Sequence, residues 1–343
     1  MSASCRMNQP DRPNVIEAIR FDGERLQLLD QRLLPAREAW LEMTGPDEAA
    51  RAIADLVVRG APAIGITAAY AAVLAARRCK GDEAAWQAAL DRLERARPTA
   101  VNLSWAVARM RDCAKRSGGP DPERLFSEAR EIHRQDIEAN RAMAEAGAAQ
   151  IEPGSGVLTH CNTGALATGG IGTALGVIAE GWRQGRIGRV FADETRPWLQ
   201  GSRLTAWELS QLGVPFRVII EGAAASLMAS GQVAWVITGA DRIAANGDVA
   251  NKIGTYMLAV LARHHGLRFM VVAPSSTVDP QLESGRGIDI EERSPAEIWR
   301  AAGLESEPPG FAAWNPVFDV TPAELVDCIV TEAGAHFPPF HFA

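Results

Sequence analysis

The chain has 343 residues, of which 47% are apolar, so it can bury a large core, and we expect two domains. Its 35 basic and 42 acidic residues give a net charge of -7 without a basic run, which argues against nucleic-acid binding. No stretch approaches the roughly 18 consecutive apolar residues of a membrane helix, and the start lacks a signal peptide's apolar core. We therefore expect a cytoplasmic protein with no membrane partner.

Five cysteines are scattered along the chain without a CxxC pair. This spacing predicts neither a disulfide framework nor a zinc site. They are Cys5, Cys79, Cys113, Cys161 and Cys328.

The first half of the chain changes from a strand pattern to a helical one. Residues 16–30 alternate apolar and polar positions around the turn signal Asp22-Gly23, which predicts a β-hairpin. From Pro46 to about Gln150, alanine-rich stretches with helical spacing are interrupted at Gly and Pro. We predict a mostly helical N-terminal domain with a small β-hairpin or sheet over residues 1–150.

The second half alternates short apolar runs with helical stretches, the pattern of βαβ units. The runs are GVLTHC, GRVFADE, PFRVIIE, VAWVITGAD and LRFMVVAP. The fold class is therefore α/β, with a Rossmann-like parallel-sheet domain over residues 151–343. Ligands of such sheets bind at the carboxyl ends of the strands, so residues that follow each run are site candidates.

A cysteine stands where the first of these runs ends. Cys161 is followed by a Gly-rich turn and by a predicted helix over GGIGTALGVI. Amides at a helix N-terminus favour a thiolate and can also hold a phosphate, although isolated free cysteines are more often small buried apolar groups. His160 precedes Cys161 in an extended strand and should point to the opposite face, so no Cys–His dyad is predicted.

Charged groups follow the second run. Asp193, Glu194, Arg196 and Arg203 cluster there, and for each one an N-cap or a surface ion pair is the ordinary interpretation.

The fourth run ends at Asp241, and Asn251 and Lys252 are predicted to open the next helix. An acid after a tight turn, with Asn and Lys nearby, can combine a general acid with a clamp for sugar hydroxyls and phosphate. Asp241 could equally be a turn residue or the ion-pair partner of Lys252.

Two segments of the helical half place an arginine where the backbone can approach an anion. Arg59 precedes Gly60 and Ala61, and Arg97 precedes a proline. Each pattern alone is more typical of a helix boundary. Their occurrence together is what favours an anion site.

Five ordered blocks make the chain resemble the methylthioribose-1-phosphate isomerases, within the wider family that includes the alpha, beta and delta regulatory subunits of translation initiation factor 2B. The resemblance extends from about Ile16 to Val330. The blocks are RGAPAIG from Arg59, RPTAVNL from Arg97, THCNTGALAT from Thr159, ETRPWLQGSRLTAWEL from Glu194 and TGADRIAANGDVANKIGTY from Thr238.

The resemblance implies an aldose–ketose isomerase in which Cys161 and Asp241 are the catalytic pair. It also implies a homodimer, a small sugar phosphate as substrate, and neither cofactor nor metal. The implied substrate-binding residues are Arg59, Gly60, Ala61, Arg97, Gln200, Asn251 and Lys252.

The implied chemistry has to open a sugar ring whose anomeric oxygen carries phosphate. Asp241 could protonate the ring oxygen if burial raises its pKa. Cys161 could then abstract the C2 proton, or it could polarise the C2 hydroxyl while hydride shifts to C1. The sequence leaves both routes open.

Three alternatives remain. A related isomerase could act on ribose 1,5-bisphosphate or 5-deoxyribose 1-phosphate, although Trp198 and Leu199 favour a thioether substituent. A non-catalytic initiation factor 2B-like subunit would not need the catalytic pair.

A nicotinamide-dependent dehydrogenase is suggested by Gly170 and Gly172 with Asp193 about 20 residues on, but Gly176 is one position late for the dinucleotide motif.

Overall fold

The computed structural model describes residues 16–97, 101–304 and 307–342. Cys5 and the part of the second motif block at residues 98–100 lie outside them. The predicted hairpin is confirmed: strands β1 (Ile19–Phe21) and β2 (Leu26–Leu29) pair antiparallel. A strand that the pattern did not predict, β3 (Trp40–Met43), pairs antiparallel with β2 and completes a three-stranded sheet.

Five helices follow this small sheet, as the helical spacing predicted. They are α1 (Pro46–Ala54), α2 (Ala61–Cys79), α3 (Glu83–Arg95), α4 (Val101–Ser117) and α5 (Pro122–Ala148). Helix α2 is buried over most of its length, and its many alanines let the neighbouring helices approach closely. The fully buried Trp86 of α3 donates its indole N–H to the Ala72 carbonyl of α2 at 3.0 Å.

A seven-stranded sheet forms the second layer, and all five predicted runs are strands within it. In chain order its strands are β4 (Ser155–Thr159), β5 (Ile187–Asp193), β6 (Phe216–Ile219), β7 (Trp235–Thr238), β10 (Arg268–Val272), β13 (Cys328–Thr331) and β14 (Gly334–His336). The spatial order is β14-β13-β10-β7-β4-β5-β6, parallel except for β14. The α/β fold class is therefore confirmed.

A second small sheet was not predicted. Its strands are β8 (Arg242–Ala244), β9 (Val249–Lys252), β11 (Val278–Asp279) and β12 (Phe318–Thr321). Asn251 and Lys252 lie in β9, so the prediction that they open a helix is wrong. Lys252 is opposite Phe318 of β12, and no local pattern reveals a pairing across such a long stretch of chain.

Five further helices lie in the described residues of the second half of the chain, and α6 and α9 pack on the seven-stranded sheet. They are α6 (Ala174–Arg183), α7 (Ala206–Gln211), α8 (Ala224–Ala229), α9 (Thr255–His265) and α10 (Ala296–Arg300). Helix α6 begins at Ala174, later than predicted, because Gly170 and Gly172 have φ values of 149° and 97°. Among the described residues, no helix is both long enough and apolar enough to span a bilayer.

Candidate active site

One cavity of about 110 Å³ lies at the carboxyl ends of the parallel strands, against the start of α2. The sequence-predicted site residues all line it, although they come from separate motif blocks. They are Arg59, Gly60, Ala61, Arg97, Cys161, Gln200, Asp241, Asn251 and Lys252. An adjoining cavity of about 290 Å³ shares four of these residues, Gly60, Ala61, Arg97 and Asp241.

Two helices direct their N-termini at this cavity. Gly60 caps α2 with φ 92°, and Gly60, Ala61 and Pro62 line the wall. Thr173, which caps α6, lines the same cavity. Free N–H groups at helix N-termini attract anions, so the backbone adds to the positive side chains here.

Cys161 is held in an unusual backbone conformation. Strand β4 ends at Thr159, and Cys161 has φ 61°, so the expected extended conformation at this residue is wrong. The Cys161 N–H donates to the Thr195 hydroxyl at 2.9 Å, and the Thr205 hydroxyl donates to the Cys161 carbonyl at 2.6 Å. A left-handed non-glycine residue costs free energy, and these two bonds hold it in place.

In the charged cluster after β5, Asp193 is buried, and Glu194, Arg196 and Arg203 are partly buried. Asp193 is fully buried, and one of its oxygens lies 2.7 Å from Nδ1 of the equally buried His160. His160 does not line the cavity, which agrees with the prediction that it forms no dyad with Cys161. Arg203 donates to the backbone carbonyls of Gln31 and Leu34 at 2.8 and 3.1 Å, which joins this segment to the N-terminal half.

Asp241 faces the cavity without a direct polar partner for its carboxyl group among the described residues, and its backbone N–H donates to the Ala250 carbonyl at 2.9 Å. Lys252 donates to the Val317 carbonyl at 3.0 Å and lies over the Phe318 ring, so it is not the ion-pair partner of Asp241. Burial raises the pKa of Asp241, against the opposing effect of nearby cations, chiefly Lys252. The acid form is favoured relative to an exposed aspartate.

A second buried carboxylate supports the arginine side of the cavity. Glu208 of α7 accepts hydrogen bonds from the Asn162 side chain at 2.7 Å and the Ala165 N–H at 2.6 Å. Asn162 in turn accepts hydrogen bonds from the Arg59 guanidinium through both its side-chain and backbone oxygens. Arg59 is therefore oriented from the opposite half of the chain.

The cavity wall is basic although the chain is acidic. It carries five cationic side chains and two acidic ones, namely Arg59, Arg97, Arg203, Lys252 and Arg293 against Asp241 and Glu297. Sequence reasoning missed Arg293 and Glu297, which form a 2.7 Å ion pair, and Gln31. They lie in segments without a recognisable motif, so no local signal marked them.

Several buried polar atoms on this wall have no hydrogen-bond partner among the described residues. They are Gln31 Oε1, Gln200 Oε1 and Arg59 Nε. Because unpaired buried polar atoms are costly, their presence together at one cavity indicates a polar ligand.

A helical layer is joined to a Rossmann-like sheet, and a basic cavity at the strand ends holds a thiol and an acid without a direct polar partner in the described part of the chain. This arrangement defines a protein built to bind a small phosphorylated molecule. The Initiation factor 2 subunit family model matches residues 57–338, and the chain belongs to this family.

Relatives and solved structures agree with that assignment. The chain is 60% identical to a methylthioribose-1-phosphate isomerase of Thioalkalivibrio sulfidiphilus, over 94% of this chain and 93% of the relative. It is 56% identical to one of Stenotrophomonas maltophilia over the same shares. The crystal structure of 5-methylthioribose 1-phosphate isomerase from Pyrococcus horikoshii OT3 has 40% identity and a TM-score of 0.87, covering 98% of this chain and 96% of its own.

A structure described as translation initiation factor eIF-2B, subunit delta, from A. fulgidus also has 40% identity, with a TM-score of 0.83. It covers 94% of this chain and 96% of its own. The fold is thus shared by proteins with both descriptions, and the site rather than the fold has to distinguish them.

Gly60 can be tested against Gly81, which has nearly the same φ, 92° against 91°. An alanine Cβ at Gly60 would lie 2.6 Å from the Ala167 carbonyl oxygen, whereas Gly81 has open space. Both changes place an alanine at a positive φ, which costs on the order of 1–3 kcal/mol. We expect Gly60→Ala to lower the free energy of unfolding by about 1–3 kcal/mol more, because α2 must move. Chemical denaturation measures both free energies of unfolding. Equal losses in Gly60→Ala and Gly81→Ala would contradict this interpretation.

Proposed function

We propose that this protein is an aldose–ketose isomerase that converts 5-methylthioribose 1-phosphate to 5-methylthioribulose 1-phosphate in methionine salvage. The bacterial relatives at 56–60% identity support the substrate and the reaction. The observation that carries the proposal is a cavity in which a thiol and a partly buried acid, which has no direct polar partner among the described residues, face basic side chains.

The phosphate is assigned to the basic part of the cavity. Arg59, Arg97 and Lys252 supply positive charge, and the start of α2 at Gly60 and Ala61 supplies backbone N–H groups. Gln200 and Asn251 are assigned to the sugar hydroxyls, since the buried Gln200 oxygen has no hydrogen-bond partner in the ranges that the structure describes. Under the proposed division at residues 150 and 151, this cavity lies between the two domains.

Asp241 is assigned as the acid that opens the ring. Burial raises its pKa, so that it can carry the proton that it gives to the ring oxygen as the bond from that oxygen to C1 breaks. Positive charge then develops at C1, beside the phosphate. A cavity without bulk water strengthens these charge interactions.

Cys161 is assigned to the hydrogen transfer between C2 and C1. As a thiolate it can remove the C2 proton to give an enol phosphate, which is then protonated at C1 while the C2 hydroxyl gives its proton to the Asp241 carboxylate. Alternatively, it polarises the C2 hydroxyl, and hydride moves from C2 to C1 as that hydroxyl loses its proton. In both routes C2 becomes the ketone and C1 gains one hydrogen.

The apolar part of the wall is assigned to the methylthio end. Trp198 lines the cavity, as do Leu56 and Leu204, whereas Leu199 is not part of the lining. The Leu56 and Leu204 side chains suit a thioether and offer no hydrogen bond to a hydroxyl or a second phosphate. This favours the methylthio sugar over ribose 1,5-bisphosphate.

The direct test is to incubate the metal-stripped protein with 5-methylthioribose 1-phosphate in deuterated water and to follow C1 and C2 by NMR. We expect the ketose to form. Deuterium at C1 would favour the enol phosphate, and its absence the hydride shift. Turnover of ribose 1,5-bisphosphate or 5-deoxyribose 1-phosphate alone would change the substrate. If none of the three sugar phosphates is turned over and the protein binds a translation factor stably, the hypothesis of a non-catalytic regulatory subunit would be favoured.

The two catalytic assignments predict separate losses. Cys161→Ser and Asp241→Asn should each lower kcat at least about 100-fold, because each removes a proton-transfer group, with milder effects on KM. Matched controls are Cys79→Ser and Asp112→Asn, which lie outside the cavity lining. Steady-state kinetics give both constants, and a kcat like that of the wild type in either catalytic variant would refute that assignment.

We also propose a cytoplasmic homodimer, as the family resemblance implies. Helix α9 is apolar on two sides: Leu258 and Ala259 are buried, while Tyr256, Met257 and Val260 are about two-fifths exposed. A helix that is apolar all round is normally covered. A second copy of this chain is the assigned occupant of the exposed side.

Val260→Glu should shift the protein from dimer to monomer, because a charge would be buried at the contact. Leu304→Glu is the control, since Leu304 is also exposed but belongs to the turn after α10 rather than to α9. Light scattering coupled to size exclusion measures the mass. A monomeric wild-type protein, or an unchanged dimer in Val260→Glu, would remove this interface.

A further inference from the structure

His160 and Asp193 form a buried pair beneath the cavity. Nδ1 of His160 lies 2.7 Å from one Asp193 oxygen, and Nε2 lies 2.9 Å from the Ile253 carbonyl. Both neighbours are acceptors, so both ring nitrogens carry a proton. Burial alone would lower the pKa of His160, but the Asp193 carboxylate outweighs it and raises the value to about 9.

The other Asp193 oxygen connects this pair to Cys161. It accepts a hydrogen bond from the Thr195 hydroxyl at 2.6 Å, and the same hydroxyl accepts the Cys161 N–H at 2.9 Å. Thr195 uses its single proton toward Asp193 and a lone pair toward Cys161. The position of the Cys161 backbone is therefore set by the carboxylate through one hydroxyl.

On its other side, His160 binds a residue next to Lys252, one of the cationic side chains of the cavity wall. Ile253, whose carbonyl accepts from His160, directly follows Lys252. Gly254 comes next with φ 104°, and a side chain there would collide with the His160 ring at 2.9 Å. The imidazole thus packs against the turn that directly follows Lys252.

We propose that Asp193, with His160 and Thr195, is a positioning device that fixes Cys161 relative to Lys252. This inference rests on the proposed function of those two residues. A buried ion pair rarely stabilises a fold more than apolar residues of the same volume would. An apolar replacement, however, would hold neither the left-handed turn at Cys161 nor the Ile253 carbonyl.

Thr195→Val tests the positioning role at the residue whose hydroxyl joins Asp193 to Cys161. Valine has nearly the same shape and the same β-branching at φ 60°, but it makes neither hydrogen bond. We expect kcat to fall roughly ten- to hundredfold with KM nearly unchanged, because a small displacement of Cys161 suffices. Thr195→Ser, which keeps the hydroxyl, should restore most of kcat.

Thr67→Val is the matched control for loss of a buried threonine hydroxyl. Thr67 is fully buried in α2, donates to the Ala63 carbonyl at 2.8 Å and does not line the cavity. It should reduce thermal stability without changing kcat. An equal loss of kcat in Thr67→Val and Thr195→Val would overturn the positioning role.

Alkylation of Cys161 by iodoacetamide, followed by peptide mass mapping, gives a readout that needs no substrate. Its rate should change in Thr195→Val and return in Thr195→Ser. An inactive wild type would refute the proposed function, while the alkylation rates would still test the device. Unchanged rates together with an unchanged kcat in Thr195→Val would overturn it.

Two substitutions of Asp193 separate hydrogen bonding from charge. Asn can still accept from Thr195 and donate to a neutral His160, whereas Ala can do neither. We expect Asp193→Asn to retain at least tenfold more kcat than Asp193→Ala. Equal losses would mean that the charge acts rather than the hydrogen bonds, and would overturn the positioning role.

Discussion

The Glu208 carboxylate is the contact on which the geometry of the site depends. It lies in the helix after β5, binds the Gly-rich turn after β4, and through Asn162 fixes an arginine that belongs to the helical half. A buried carboxylate must have its lone pairs satisfied, so these three segments can take only one arrangement around it. The cavity has its shape because that requirement is met from both halves of the chain.

Strand ends could be predicted from the sequence, and with them the site. Apolar runs that end in polar residues locate β4, β5 and β7, and parallel strands bring their carboxyl ends to one edge. Cys161 and Asp241 could therefore be expected to meet. The proposal that particular candidate residues bind substrate came from the resemblance between motif blocks, since no spacing marks Gln200.

The remainder could not be predicted because it depends on pairing between distant segments. The strand that holds Lys252 is recognisable only beside Phe318, and the partner of Asp193 is a histidine that follows another strand. Asp193 looked like a surface group because charged residues usually are. A sequence pattern describes neighbours along the chain, whereas burial of a charge is decided by neighbours in space.

The molecule as a whole is negatively charged, whereas the wall of its cavity is positively charged. The net charge is -7, yet the cavity wall carries five cationic side chains against two acidic ones. Low-dielectric walls concentrate this local field, so an anion is attracted to the cavity although the surface as a whole repels it. Polyanions too large for the cavity gain nothing from the same charges.

The left-handed backbone at residue 161 makes a cysteine there unfavourable for stability, whereas the proposed reaction needs its thiol. Only glycine occupies φ 61° without strain, so the fold by itself would prefer glycine there to the cysteine that the reaction is assigned. A chain selected for stability alone would lose the thiol at little cost to its architecture. A non-catalytic protein of this fold could therefore replace the cysteine at this position with glycine and gain stability. The residue at this position thus indicates whether a protein of this fold still needs the thiol for catalysis.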